Sequence, residues 1–176
     1  MLVASNPEIT VRLFIDREEF SVESDASDPR IQRVEICIKI GLTEPYAGAP
    51  PPLADARLFV IDTGSDYSSV FLDDLIESGL PVRGPGGGQV RMILYDGSEV
   101  VRRRRDVTLW LYSNLRDAAP SPLRIDLSGG VIILPTPAPN IARLLKPVLG
   151  MKPLLDAGVR VDLDFGARRF SIWAPD

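Results

Sequence analysis

Hydrophobic positions along this chain fall into short runs and alternations that are bounded by proline, glycine, aspartate and serine. Runs of this kind, rich in valine, isoleucine, leucine and aromatic residues, predict β-strands. The predicted strands cover Ile9–Ile15, Arg33–Leu42, Ala56–Ile61, Gln89–Tyr95, Ser98–Arg103, Asp106–Tyr112, Leu123–Leu127, Val131–Leu134, Val159–Phe165 and Arg168–Trp173. The pattern therefore predicts an all-β fold, in which the strands form a small closed barrel or a sandwich.

Two segments have the spacing of short helices instead. Ser69–Ser78 contains an apolar stripe and is followed by Gly79. Met151–Ala157 has Pro153 near its start and Gly158 after its end. Proline near the start and glycine after the end are the usual asymmetry of a helix, so one or two short helices are expected.

A tight hairpin is predicted between two of the strands, because Asp96-Gly97 is a strong signal for a two-residue turn. Gly86-Gly87-Gly88 lies just before this hairpin. No Lys-Ser or Lys-Thr follows the three glycines, so a phosphate-binding loop is not supported. A flexible hinge at the base of the hairpin is the favoured interpretation.

The run Arg102-Arg103-Arg104-Arg105 is the strongest cluster of charge in the chain. Alternate residues of a strand face opposite sides, so the four side chains cannot form one flat patch. We interpret the run as a solvated edge strand that opposes aggregation. Selection of acidic substrates, or contact with a partner, is the alternative.

Length and charge narrow the possible classes of protein. A chain of 176 residues is one domain, or one domain with an extension. Its net charge of −4 argues against a general binder of nucleic acid or of anionic membranes. No apolar run approaches the ~18 residues of a membrane span. The N-terminal residues 1–8 lack the basic and apolar regions of a signal peptide, so a cytoplasmic location is expected.

The absence of histidine limits the available chemistry. It removes Ser-His-Asp and Cys-His catalysis and, with Cys37 as the one cysteine, most catalytic zinc sites. We expect Cys37 to be a small buried residue, and we expect neither a metal nor a cofactor. Carboxylates remain as the groups for hydrolysis, because no lysine lies beside a serine motif.

One carboxylate stands out by its setting. The apolar run Leu58–Ile61 leads directly into Asp62-Thr63-Gly64, which Ser65 follows. The tripeptide alone is weak evidence, since an Asx-type turn after a strand would look the same.

In this setting the chain resembles the retropepsin-like aspartic peptidases. Val60–Ser68 fits that family's pattern of two apolar residues, Asp-Thr-Gly, Ala or Ser, and a later Ser. Pro147–Met151 resembles its apolar-apolar-Gly segment, and Leu154–Asp164 looks like its terminal helix and strand. The hairpin Gln89–Val101 stands where the family has its flap. The resemblance implies a retropepsin-type barrel over 33–176, preceded by an extension, 1–32, that either adds a strand or occupies the cleft as a leader.

The resemblance implies an aspartic endopeptidase that acts as a homodimer on peptide or protein substrates. The chemistry needs two carboxylates, and the chain has one Asp-Thr-Gly, so two chains would supply one site. The catalytic residues would be Asp62, which activates a water with its mate; Thr63, which bonds across the two-fold axis; and Gly64, which permits close backbone approach.

The same resemblance assigns substrate binding to Ser65, Asp66, Tyr95, Asp96 and Gly97. The Ser65 hydroxyl is expected to donate to the Asp62 carboxylate. Tyr95 is either an aromatic lid over the substrate or a cross-strand residue of the hairpin.

Three positions depart from the family's pattern. Met151 stands where viral relatives have an arginine that pairs with the residue at the Asp66 position, and Lys152 replaces an acidic residue of cellular relatives. The flap tip has one glycine, Gly97, where a glycine-rich loop is usual. These departures leave an alternative, a catalytically weak or inactive module of the same fold that dimerises or binds peptides.

Overall fold

The computed structural model of the chain describes residues 8–12, 14–15, 34–35, 37–93, 97–112, 122–139, 145–164 and 169–173. Strands are β1 (Glu8–Arg12), β2 (Phe14–Ile15), β3 (Val34–Glu35), β4 (Cys37–Thr43), β5 (Arg57–Ile61), β6 (Ser69–Phe71), β7 (Gly88–Ile93), β8 (Glu99–Tyr112), β9 (Leu123–Leu134), β10 (Val148–Leu149), β11 (Arg160–Asp164) and β12 (Arg169–Trp173). Helices are α1 (Leu72–Glu77) and α2 (Met151–Asp156), with a 3₁₀ turn at Leu53–Asp55. The described chain is mostly β-sheet with a few short helices, so the all-β prediction is confirmed.

The main sheet has the strand order β4-β5-β10-β6-β9-β8-β7. Strand β4 also pairs with the second half of β8, from Lys39 opposite Tyr112 to Thr43 opposite Thr108. Strands β4, β5, β10, β6, β9 and β8 are therefore each hydrogen-bonded to the next, and β8 is hydrogen-bonded to β4, which completes a circuit. Strand β7 continues the sheet beyond this circuit, on the first half of β8.

A second sheet has the order β1-β12-β11, with β12 antiparallel to both neighbours. Ile172 of β12 is fully buried and belongs to the main core. Glu8–Arg12, from the N-terminal segment outside the family resemblance, is thus a strand of the folded chain.

The core lies between the inward faces of the strands and the two helices. Strand β4 alternates in the expected way, with Ile38 and Ile40 buried and Lys39 exposed between them. Cys37 is buried, as expected for a small apolar side chain. Other members of the core with less than 2% exposure are Phe59, Val70, Leu75, Val107, Leu109, Leu111, Ile125, Val131, Ile132, Leu149 and Leu154.

The arginine run lies inside a long strand, so its interpretation as an edge strand is wrong. The two predicted strands Ser98–Arg103 and Asp106–Tyr112 form the single strand β8, with a register shift between Arg105 and Val107. Arg103 and Arg104 pair with β7 on one side and with β9 on the other. The edge of this part of the sheet is β7.

Arg105 is fully buried, unlike the other arginines of the run. Its guanidinium donates to a Glu44 carboxylate oxygen at 2.6 Å and to the carbonyl oxygens of Pro81 and Asp106. A buried charge is tolerated when it is paired and hydrogen-bonded in this way. The arginine run therefore does not interrupt β8, which continues through Arg105 into the interior of the fold.

Other predicted boundaries also change. The segments Leu123–Leu127 and Val131–Leu134 merge into β9. The predicted helix Ser69–Ser78 begins only at Leu72, because Ser69–Phe71 form β6 and pair with β9. The helix ends as expected, at Gly79 with a positive φ of 73°.

The hairpin between β7 and β8 was predicted to turn at Asp96-Gly97. Its last described pair is Ile93 opposite Glu99. Asp96 lies outside the described residues. Gly97 has a positive φ of 80°, in keeping with a turn that favours glycine.

The glycine-rich segment before β7 is packed against β8, in contrast to the predicted hinge. A Cβ on Gly84 would lie 2.7 Å from the Arg105 guanidinium, and one on Gly86 would lie 2.0 Å from the Asp106 carboxylate. The Asp106 backbone N–H donates to the Pro85 carbonyl at 2.9 Å. Glycine is needed here because the loop approaches β8 closely.

Candidate active site

Asp62 is the first residue after β5 and begins the turn that leaves the main sheet. Its backbone N–H donates to the Leu149 carbonyl at 3.1 Å, and its own carbonyl accepts from the Ser65 N–H at 3.2 Å. Its carboxylate oxygen Oδ1 accepts from the Gly64 N–H at 2.9 Å. Asp62 nevertheless stays exposed. Within the described residues, Oδ2 has no hydrogen-bond partner.

The hydrogen bond from the Gly64 N–H to the Asp62 carboxylate closes an Asx turn. An Asx turn was the alternative to a catalytic motif in the sequence. The turn does not conflict with a catalytic role. It orients the carboxylate and occupies one oxygen, while the other oxygen of this exposed side chain has no hydrogen-bond partner among the described residues.

A strand from a distant part of the chain supports this turn. Strands β5 and β6 follow each other in sequence, yet β10 lies between them. Leu149 pairs in parallel with Ile61, and Val148 pairs antiparallel with Ser69. Residues 62–68 therefore connect two strands that are not paired with each other, and they cross the end of β10.

Gly150 is the point of closest approach between β10 and the loop 62–68. A Cβ at this position would lie 2.5 Å from the Tyr67 carbonyl oxygen and 2.8 Å from that of Ser65. The next residue, Met151, donates its backbone N–H to the Ser65 carbonyl at 2.8 Å. Only glycine fits this contact without displacing backbone.

Ser68 fastens the far end of the same loop. It is 1% exposed, and its hydroxyl oxygen accepts the Gly150 N–H at 3.1 Å. Its carbonyl accepts from the Ile132 N–H at 2.9 Å, which links the loop to β9. The loop that carries Asp62 is thus hydrogen-bonded to strands β10 and β9 and to the start of α2.

Asp66 is tied to α2 through its backbone. Its carbonyl accepts the Lys152 N–H at 3.0 Å. The Lys152 ammonium instead contacts both carboxylate oxygens of Asp156, at 2.9 and 2.8 Å, and this hydrogen bond raises the pKa of Lys152. The Asp66 carboxylate forms no hydrogen bond or ion pair with another described residue.

The Ser65 hydroxyl was expected to donate to the Asp62 carboxylate, but it does not contact that group. It donates to the Tyr67 carbonyl at 2.9 Å, which stabilises the loop. Thr63 is exposed at the tip of the turn, next to Asp62.

The predicted flap residues are only partly described. Tyr95 and Asp96 lie outside the described residues, and Gly97 is exposed at the start of the return strand. The base of the hairpin does meet the site loop. A pocket of about 110 Å³ there is lined by Tyr67, Ser68, Arg104, Leu127, Gly130, Lys152, Pro153 and Asp156.

None of these eight residues was among the predicted site residues, and two of them, Ser68 and Arg104, bear directly on the site. Ser68 belonged to the family pattern, but its burial depends on a contact with Gly150, 82 residues away. Arg104 was part of the arginine run, and alternation along a strand was the one signal that separated it from Arg105.

In comparisons with known proteins, no protein-family model and no curated protein matches the chain. Within the described residues, no helix is long and apolar enough to cross a membrane. The same residues contain no group of three or more histidine, cysteine, aspartate or glutamate side chains arranged to hold a metal ion.

Proposed function

We propose that the protein is an aspartic endopeptidase that acts as a homodimer. The observation that carries the proposal is the setting of Asp62, an exposed residue at the end of β5, above an inserted strand, with its Oδ1 held by the Gly64 N–H. The circuit of paired strands from β4 back to β4 supports a small barrel of retropepsin type.

In the proposed mechanism, two Asp62 carboxylates from two chains hold one water between them. The ionised carboxylate takes a proton from the water, whose oxygen attacks the carbonyl carbon of the scissile bond. The protonated carboxyl donates a hydrogen bond to the carbonyl oxygen, and a proton passes to the leaving nitrogen as the C–N bond breaks.

Each residue of the turn has a role in this scheme. The Gly64 N–H holds Oδ1 and so sets the plane of the carboxylate. Thr63, exposed beside it, bonds to its mate across the two-fold axis. The ties from Ser68 and Met151 keep the loop from shifting, and a small displacement of a catalytic group is costly.

A second function is favoured by one observation: the Asp66 carboxylate forms no ion pair or hydrogen bond with another described residue, and the Lys152 ammonium acts on it only as a nearby charge. Met151 supplies no charge, and Lys152 is paired with Asp156. A weaker dimer would follow, and the same fold would then serve as a peptide-binding or dimerisation module with little turnover.

Cleavage of a mixed peptide library separates the two functions. The library is incubated with the wild type and with Asp62→Asn at several acidic and near-neutral pH values, with and without a pepstatin-type inhibitor. A peptidase cleaves peptides in the wild-type sample alone, and the inhibitor stops it. Binding of peptides without cleavage at any pH would favour the module.

A further inference from the structure

A second pocket lies at the base of the β7–β8 hairpin, and its polar lining is strongly basic. Its volume is about 340 Å³, and it is lined by Val82, Arg83, Gly84, Gly87, Gly88, Gln89, Arg103 and Arg104. Three of these side chains are cationic and none is acidic. The whole chain has a net charge of −4, so this concentration of positive charge is a local feature.

The three arginines of this pocket have no charge partner within the described part of the chain. Neighbouring arginines are paired: Arg105 with Glu44 at 2.6 Å and Arg91 with Glu99 at 3.2 Å. The side chains of Arg83, Arg103 and Arg104 form no ion pair or hydrogen bond with another described residue. Their charges are thus available to an anionic ligand.

The floor of the pocket is a packed loop. Gly84 rests on the buried Arg105 guanidinium, and Gly86 rests on the Asp106 carboxylate. The Gly87 N–H closes the loop by donating to the Gly84 carbonyl at 3.2 Å. A ligand would meet a preformed surface, which lowers the entropic cost of binding.

Arg104 also lines the smaller pocket beside Tyr67 and Ser68. The two pockets therefore adjoin at this side chain, and the basic surface continues to the loop that presents Asp62. Lys152 adds little charge to the smaller pocket, because Asp156 neutralises it. Arg104 is the arginine that lines both pockets, and in the smaller one it lies with Tyr67 and Ser68 of the loop that carries Asp62.

We propose that Arg83, Arg103 and Arg104 bind acidic side chains of the peptide substrate, with Arg104 as the main determinant of specificity. The proposal rests on the proposed peptidase function. It assigns the substrates to peptides with aspartate or glutamate on one side of the scissile bond. An extended peptide fits better than a small anion, because the charges are spread over two adjoining pockets.

Binding to the inactive Asp62→Asn variant tests the proposal apart from catalysis. Two labelled peptides are compared that differ only in having glutamate or glutamine at the same positions. We expect the glutamate peptide to bind about tenfold more tightly, which is the ratio of dissociation constants that one charge-assisted hydrogen bond provides. Adding R104Q to the variant should remove this preference, and added salt should weaken it.

R91Q is the matched control, because Arg91 lies on the same hairpin, is paired with Glu99 and lines neither pocket. It should keep the preference for glutamate. Equal binding of the two peptides, or an equal loss with R91Q and R104Q, would overturn the proposal. Displacement of the peptide by millimolar inorganic phosphate, but not by chloride at the same ionic strength, would assign the site to a small phosphorylated ligand and would also overturn it.

The proposed function has a separate readout. If the glutamate preference is present and depends on Arg104, while the wild type cleaves neither peptide, the basic site stands and the peptidase proposal fails. If the wild type cleaves both peptides at equal kcat/KM and binds them equally, the peptidase stands and the basic site fails.

Discussion

The Ser68 hydroxyl and the Gly150 backbone N–H, 82 residues apart in the chain, form a buried hydrogen bond of 3.1 Å beneath the Asp62 turn. It joins the end of the loop 62–68, which carries Asp62, to the end of β10, the strand inserted below that loop. Both groups are removed from water, so neither can exchange this partner for solvent without opening the fold.

Ser68→Ala should lower the free energy of unfolding by about 1–3 kcal/mol, because the Gly150 N–H is left buried without an acceptor. Urea denaturation measures the change. Ser65→Ala is the control, since its hydroxyl is half-exposed and bonds only to a carbonyl of its own loop. Equal stability of the Ser68 variant and the wild type would mean that the bond contributes nothing.

Gly150→Ala should be more damaging still. The added methyl would lie 2.5 Å from the Tyr67 carbonyl oxygen, so backbone has to move, at a cost of at least about 1–3 kcal/mol. Gly48→Ala is the matched control, because no atom lies within 4 Å of its Cβ. Thermal unfolding of both variants decides the point, and a Gly150 variant as stable as the Gly48 variant would contradict the contact.

Local sequence predicted most strands because their cause is local. Alternation in Cys37–Thr43 places Ile38 and Ile40 on one face, and the same pattern is visible without any neighbour. Strands β6 and β10 were missed because three and two residues carry no period. These short strands exist only because each finds partners far away in the chain.

The arginine run shows where a prediction from local sequence fails. Four charged residues suggested an exposed edge and a break between strands. Burial of Arg105 depends on Glu44, 61 residues earlier, and on the Pro81 carbonyl. Alternation along the strand places Arg104 and Arg105 on opposite faces, but nothing in the run itself shows which face is buried.

The candidate catalytic motif was predictable from sequence, but the hydrogen bonds that hold its loop in place were not. Asp62-Thr63-Gly64 is a contiguous motif after an apolar run, so its turn could be read from sequence. The hydroxyl of Ser65 was expected on Asp62 and instead bonds to the Tyr67 carbonyl. The acceptor of the Ser65 hydroxyl depends on the fold of the loop, and the fold of the loop depends on its close contact with Gly150.

Activity should show a bell-shaped dependence on pH, with its maximum on the acidic side. Two adjacent carboxylates work only when they hold one proton between them, so both loss and gain of a proton inactivate the pair. Since Ser65 bonds to Tyr67, Ser65→Ala should leave both limbs of the profile where they are. A limb that moves in this variant would show that the hydroxyl contacts Asp62 in the dimer.

The β7–β8 hairpin should become ordered over bound peptide. Backbone amides in 89–93 and 97–101 should exchange hydrogen quickly in the apo protein and more slowly with a peptide-like inhibitor, since lids close over the site. Equally slow exchange in both states would make the hairpin a fixed part of the sheet.

Gly97→Val tests the same hairpin by mutation. Valine strains a turn with a φ of 80°, so kcat/KM should fall more than the melting temperature. Gly79→Val is the matched control, because Gly79 has a φ of 73°, open space around it and a position at the end of α1. The control should lower stability alone, and an equal loss of kcat/KM in both variants would remove the hairpin from the mechanism.

The central claim, that two chains supply one site through Asp62, is tested most directly by mixing subunits. Wild type and Asp62→Asn are combined in equal amounts, allowed to exchange, and assayed for peptide hydrolysis at fixed total concentration. If both carboxylates of a dimer are needed, about a quarter of the wild-type activity remains, because only that share of randomly paired dimers carries two aspartates. Retention of about half of the activity would mean that each chain works alone, and the account of a shared site would be wrong.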